Sequence, residues 1–242
     1  MNKEIVTGFA DASDIELVTQ KLTSYYVDTS RVSLDRIPKK VSAKIVSKYH
    51  YSGKLSSCRY ALGLYYKTDN QHKFFDDTEE HLIGTLTYGF PKGRRVVGSI
   101  FNEDIIGNRN ILELTRLCVK NGFGSNIESY AISQSFKWLK KYAPDVKVLI
   151  SYADPEQNHS GFIYQATNWL YQGQGAFQAA PTYALRLEED GDWMHSRNVY
   201  SRYGSSNVEH LKKQIGHTFW LKKEAEKHRY IYFLGNKREN KV

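Results

Sequence analysis

The feature that most constrains this chain is the run Val148–Gly173, VLISYADPEQNHSGFIYQATNWLYQG. It predicts a buried strand, a polar loop, a helix from about Ser160 to Thr167 and a second strand over Trp169–Gly173. Such a unit requires a sheet with helices packed against it. Alternation places Val146, Val148, Ile150, Tyr152 and Asp154 on one face of the first strand. An apolar strand that ends in a phenol and a carboxylate points to a site at its carboxyl end, where ligands bind in open α/β sheets.

The rest of the chain supplies the other layers. Residues 13–27 have helical apolar spacing, and 38–50 predict a second helix with Pro38 in its first turn, ending at Ser52-Gly53. Cys58–Lys67 and His81–Phe90 alternate as strands around a polar loop at Asp69–Glu80. Ile111–Val119 is a third strand. Asn121–Asn126 then forms a glycine loop, in which Asn126 can cap a helix over about Ile127–Tyr142. Lys147–Asp154 is the fourth strand of this core. Residues 174–216 are expected to be an insert with a strand at Tyr183–Glu188 and a helix at Val208–Ile215. Strands near His217–Leu221 and His228–Leu234 follow. Helices, then antiparallel strands, then strand–helix–strand define a mixed α/β (α+β) class, with a mostly antiparallel sheet flanked by helices.

At 242 residues the chain can bury one core, with or without an insert. Its two cysteines, Cys58 and Cys118, form no CxxC, which argues against a disulfide framework or a cysteine zinc site and fits a reducing cytoplasm. No apolar run approaches ~20 residues, so no membrane association is expected. The N-terminal segment lacks an apolar signal core. Net charge is +8, and residues 202–242 hold ten Lys/Arg against four Asp/Glu. Lys40, Lys44 and Lys48 recur on one face of the predicted helix, and Lys92, Arg94 and Arg95 fall in a turn. Each cluster alone also suits a solvated face. Interleaved with Tyr, Trp and Phe, together they favour a nucleic-acid partner.

The element order resembles the GNAT acyltransferase fold, in which a strand, a glycine loop and a helix N-terminus hold the donor's pyrophosphate and a neighbouring strand splays away. The matching pieces are Ile111–Val119, the loop Gly122, Phe123, Gly124, Ser125 and Asn126, and Lys147–Asp154. The phrases YHYSGKL (Tyr49–Leu55), LELTRLCV (Leu112–Val119) and Leu149–Gly173 resemble the Mom family of phage DNA-modification proteins. That resemblance covers the chain to about residue 236 and implies one GNAT-like domain. It implies conversion of adenine's exocyclic amine in phage DNA to its carbamoylmethyl (methylcarbamoyl) form in the host cytoplasm, which evades restriction. Double-stranded DNA would be the partner. The usual GNAT donor motif opens with Gln or Arg, where this chain has Val119, and that departure bears on coenzyme A binding.

The product places CH2 on the adenine nitrogen and ends in an amide, which plain acetyl transfer does not give. A glycyl donor such as glycyl-tRNA accounts for every atom and would make tRNA a second partner. Acetyl-CoA with bound iron and radical chemistry is the other route that the resemblance permits. An ordinary N-acetyltransferase and a non-catalytic DNA-binding protein remain as rival classes.

Asp154 is read as a general base and Tyr152 as a proton donor or oxyanion partner; a strand-end Asp also caps loops. Arg116 is read as binding phosphate or substrate, or as a structural ion-pair member, with Glu113 on the opposite face by parity. His50 and Tyr51 lie at a helix end, as catalytic groups or as a helix cap. Tyr49, Tyr51, Tyr66 and Tyr164 are candidates to stack a flipped adenine, or are core residues. Lys40, Lys44 and Lys48 are assigned to substrate binding. His50, Asp154 and His159 are the metal candidates, without a recognised ligand spacing. Ser133 and Ser135 are expected to pack rather than to react.

Overall fold

The computed structural model describes residues 26–69, 78–91, 96, 98–100, 107–157, 159–174 and 182–235. In chain order these form β1 (Val32–Arg36), α1 (Lys39–Tyr49), β2 (Tyr60–Asp69), β3 (Thr78–Gly89), β4 (Ile111–Val119), α2 (Ile127–Tyr142), β5 (Val148–Ala153) and α3 (Phe162–Gln165). They continue with β6 (Leu170–Gln174), β7 (Tyr183–Arg186), α4 (Ser196–Tyr203), α5 (Val208–Ile215), β8 (Trp220–Lys223) and β9 (His228–Phe233). The chain divides into two compact units. One comprises Met1–Ser151, Gly161–Tyr171 and Tyr230–Val242, the other Tyr152–Ser160 and Gln172–Arg229.

The larger sheet has the order β1-β2-β3-β4-β5-β9-β6. Its first three junctions are antiparallel, and β4 and β5 run parallel. This is the expected mixed α/β architecture. Both flanking helices bury one stripe. In α1 the buried residues are Ser42, Ile45 and Val46, and Ser42 Oγ lies 2.8 Å from Thr85 Oγ1, which donates to the Leu62 carbonyl at 2.9 Å. In α2 they are Ile127, Ala131, Ile132, Ser135, Phe136 and Leu139, at helical spacing. Ser135 Oγ sits 2.6 Å from Tyr88 Oη and donates to the Ile132 carbonyl, so it is fully used in packing.

The second unit contains the two-stranded antiparallel pair β7–β8. Leu185, Val199 and Leu211 form its buried centre, with Met194, Ile215, Phe219 and Leu221 packed around them. Residues 174–216 fall largely within this unit, which continues to Arg229. The Glu224 carboxylate holds the start of α4, accepting from Ser196 N at 2.9 Å and Ser196 Oγ at 2.6 Å.

β4, α2 and α5 begin and end where the sequence places them. Two elements were not anticipated, β1 and α4. β1 carries Asp35 and Arg36 in five residues, and in α4 only Ser196 and Val199 are buried, so neither shows a clean period. Thr78–Glu80 belongs to β3, paired with Lys67–Asp69, rather than to the polar loop. The helix expected over 13–27 lies outside the described residues except for Tyr26 and Val27, and Tyr26 forms a parallel bridge with Ser125. Lys92, Arg94 and Arg95 also lie outside them. No described helix is long and apolar enough to cross a membrane.

Candidate active site

β4 and β5 pair through Ile111–Val148, Leu112–Leu149 and Glu113–Ile150. Among the described residues β4 then continues to Val119 without β5 beside it. Backbone groups released at such a point need other partners. Ser151 supplies one. Its buried Oγ lies 3.1 Å from the Leu114 carbonyl oxygen and 2.7 Å from Tyr164 Oη.

On its other edge β4 is bulged at the adjacent residue. The register with β3 passes from Thr87–Arg116 to Tyr88–Leu114, leaving Thr115 unmatched. Thr115 Oγ1 is 2.9 Å from Thr87 Oγ1 and lies within reach of the Ser57 carbonyl at 3.0 Å and the Thr87 carbonyl at 3.1 Å. A bulge bends a strand and raises its local twist. Here the last β4–β5 pair and the bulge fall within a few residues of one another, around Leu114 and Thr115.

Tyr164 is buried, its ring 5.0 Å from that of Tyr230 and 5.2 Å from that of Trp169. Burial pushes its hydroxyl up to about 12; the Ser151 hydrogen bond opposes this, and Tyr51, Glu113 and Tyr230 add to it. The phenol is therefore protonated at neutral pH. The Ser151 hydroxyl is the donor in both contacts, to the Leu114 carbonyl and to the Tyr164 oxygen, so the phenol accepts from Ser151 and its own proton is not used in that bond.

The loop after β4 is built for close backbone approach. Gly122 (φ 98°), Gly124 (φ 93°) and Asn126 (φ 65°) all have positive φ. Phe123 is buried against Tyr66, with ring centroids 5.3 Å apart, and anchors the loop. The Ser125 carbonyl accepts from Val27 N at 3.0 Å. Asn126 does not cap α2 with its side chain, as the sequence suggested: its left-handed backbone departs from the extended geometry that side-chain capping uses. The N-terminus of α2 therefore presents backbone N–H groups and the positive end of the helix dipole, which fit an anionic group.

Arg116 holds the segment before β2: Nε donates to the Lys54 carbonyl at 3.0 Å and Nη1 to the Thr115 carbonyl at 2.6 Å. The bulge at Thr115 interrupts the alternation that separated it from Glu113. His50 follows α1, stacked on Tyr51 at 4.4 Å, its Nδ1 3.1 Å from Ser52 N and 2.9 Å from Ser52 Oγ. Tyr49 and Tyr51 are exposed. Tyr66 and Tyr164 are core residues, the first packed on Phe123 and the second on Trp169 and Tyr230. Lys40, Lys44 and Lys48 are exposed on one face of α1.

In the second unit, Tyr152 is half-buried. Asp154 pairs with Lys227 at 3.0 Å and accepts from Glu156 N at 3.1 Å. Its carbonyl accepts from Gln157 N and His159 N, and His159 is exposed. Among the described residues no three His, Cys, Asp or Glu side chains gather to hold a metal ion, so His50, Asp154 and His159 form no ligand set for iron. Sequence reasoning missed Ser151 and the Thr115 bulge. Ser151's only signal is one polar residue inside the apolar run VLISYA.

The Mom protein family profile matches residues 31–242. Methylcarbamoylase Mom of Escherichia phage Mu is 31% identical over 169 residues, 66% of this chain and 62% of that protein. Archaeosine synthase of Methanocaldococcus jannaschii is 34% identical over 83 residues, 31% of this chain and 15% of that protein. The chain thus spans less than two thirds of the length of these curated relatives. Among solved structures, Arabidopsis thaliana NAA60 in complex with acetyl-CoA aligns over 84% of this chain and 98% of its own, at 9% identity and a TM-score of 0.45. With the profile matched across the sheet, the glycine loop and the splay point, the chain belongs to the Mom protein family.

Proposed function

We propose that this chain is a transferase that converts the exocyclic amine of adenine in double-stranded DNA to its carbamoylmethyl form. The observation that carries this reading is the family match over residues 31–242, joined to the name of the phage Mu relative, a methylcarbamoylase. Restriction enzymes read adenine's amine in the major groove, so a substituent there protects the DNA. The amine cannot reach a buried donor from within the stack, so the base is flipped out.

The splay point suits acyl transfer. An activated acyl donor places its anionic part against Gly122–Asn126 and the start of α2. Its carbonyl enters the gap beside Leu114, where the Tyr164–Ser151 pair donates a hydrogen bond to the oxyanion as it forms. Asp154 is the proposed base. Because adenine's amine is delocalised into its ring, positioning contributes more than basicity.

A glycyl ester, as on glycyl-tRNA, gives the product with balanced atoms. The amine attacks the glycyl carbonyl and the ester oxygen leaves with a proton. The free glycyl amine then attacks the ring carbon bearing that nitrogen, closing a five-membered spiro ring. The bond from ring carbon to original nitrogen breaks, and that nitrogen leaves as the terminal amide. Acetyl transfer from acetyl-CoA would stop at an amide on the amine.

Plasmid DNA from cells expressing the chain is the test material. It should resist restriction enzymes whose sites contain adenine while being cut normally at sites without it. Cleavage at adenine sites as fast as in DNA from cells with an empty vector would sink the reading.

A further inference from the structure

α1 carries four cations, Lys39, Lys40, Lys44 and Lys48, and no acidic residue. Lys40, Lys44 and Lys48 are exposed, while the opposite face buries Ser42, Ile45 and Val46 against the sheet. Four residues of helix rise about 6 Å, so the three ammonium groups form an evenly spaced row about 12 Å long on a rigid element. Even spacing on a fixed helix suits a repeating polyanion better than a single small anion.

The row extends at both ends. At its carboxyl end the Tyr49 ring has two ammonium groups near it, Lys48 Nζ at 5.2 Å and Lys120 Nζ at 5.6 Å from its centroid. At its amino end is a cavity of about 350 Å³ whose charged lining residues, Arg36, Lys39 and Arg59, are all cations. The Asp145 carboxylate lies 3.6 Å from Arg59. The direction of the row matters as much as its charge. Its carboxyl end runs into His50 and Tyr51, whose rings stack with centroids 4.4 Å apart.

We propose that α1 is the track on which the phosphate backbone of duplex DNA lies, delivering one strand past Tyr49 and Tyr51 to the gap between β4 and β5. This rests on the DNA-modifying function proposed above. Phosphate contacts of this kind set register and affinity and leave base choice to the site.

The experiment is the salt dependence of binding of the full chain to a fluorescent duplex. Each phosphate contact contributes about −0.9 to the slope of log K against log salt. Replacing Lys40, Lys44 and Lys48 together by Gln should lower the slope's magnitude by about 2.7, and each single change by about 0.9. The charge-matched variant with Lys137, Lys140 and Lys141 of α2 replaced by Gln should keep the wild-type slope. An unchanged slope in the α1 variant, or an equal fall in both, would overturn the proposal. So would loss of binding to tRNA alone with the duplex slope retained, which would assign the track to RNA. Unaltered melting temperatures exclude misfolding as the cause. Failure of the function reading is seen separately, as DNA with no adenine adduct from cells expressing the wild-type chain.

Discussion

Ser151 and Tyr164 hold their hydroxyl oxygens 2.7 Å apart at the point where β4 and β5 part, and Ser151 reaches on to the Leu114 carbonyl at 3.1 Å. The two substitutions that break this chain are not equivalent. Tyr164→Phe leaves Ser151 free to donate to Leu114. Ser151→Ala leaves both the Tyr164 hydroxyl and the Leu114 carbonyl buried without that partner. A buried polar group stranded in this way costs about 1–3 kcal/mol. Urea midpoints should therefore fall further for Ser151→Ala than for Tyr164→Phe. Equal losses would mean that the pair does not bridge the splay.

High pH should weaken the fold through the same phenol. Tyr164, pushed by burial from the ordinary 10.0 up to about 12, stays protonated in the folded state after the unfolded chain has begun to ionise. Its stabilising contribution is full below pH 10 and is lost as pH rises from there through about 12. Tyr88, buried and also raised, although Ser135 opposes the shift, acts in the same direction. Unfolding midpoints measured between pH 9 and 12 should decline, with a shallower decline in Tyr164→Phe. A flat profile for wild type would contradict the burial described for these rings.

Gly161 precedes α3 with φ +80°, and a Cβ there would overlap the Tyr230 ring. Tyr230 is itself buried, so the ring has little freedom to move aside. Gly161→Ala should lower stability by about 1–3 kcal/mol through backbone strain and overpacking together. A variant as stable as wild type would show that the helix start is less constrained than this geometry requires.

Asp154 separates two roles. Its carboxylate pairs with Lys227 and caps Glu156 N, contacts that suffice for a purely structural residue. As the base of the reaction, its change to Asn should reduce adduct formation by about 10²-fold or more while leaving a cooperative melting transition. Retained activity with lowered stability would leave it only the loop-holding role.

Much of this was legible in the chain itself. α2 is bounded by a glycine loop and Pro144, β4 by its apolar run, and both signals are local. The glycine loop and the Asp154 strand end were visible for the same reason. β1 was not, because a short edge strand with Asp35 and Arg36 has no clean alternation. Ser151 was hidden because a lone serine in a buried strand carries no period. The Thr115 bulge was hidden because a bulge arises from pairing with β3, and it broke the parity argument for Glu113 and Arg116. The burial of Tyr66 and Tyr164 was not legible because it depends on distant partners such as Phe123 and Tyr230.

The most direct measurement is mass spectrometry of nucleosides from DNA of cells that express the chain and are grown with isotope-labelled glycine. An adenine nucleoside heavier by one carbamoylmethyl unit, carrying intact glycine carbon and nitrogen, is the predicted result. An unlabelled adduct from well-labelled cells would keep the modification and reject the glycyl donor. DNA without any adenine adduct, with the protein folded and abundant, would contradict the account.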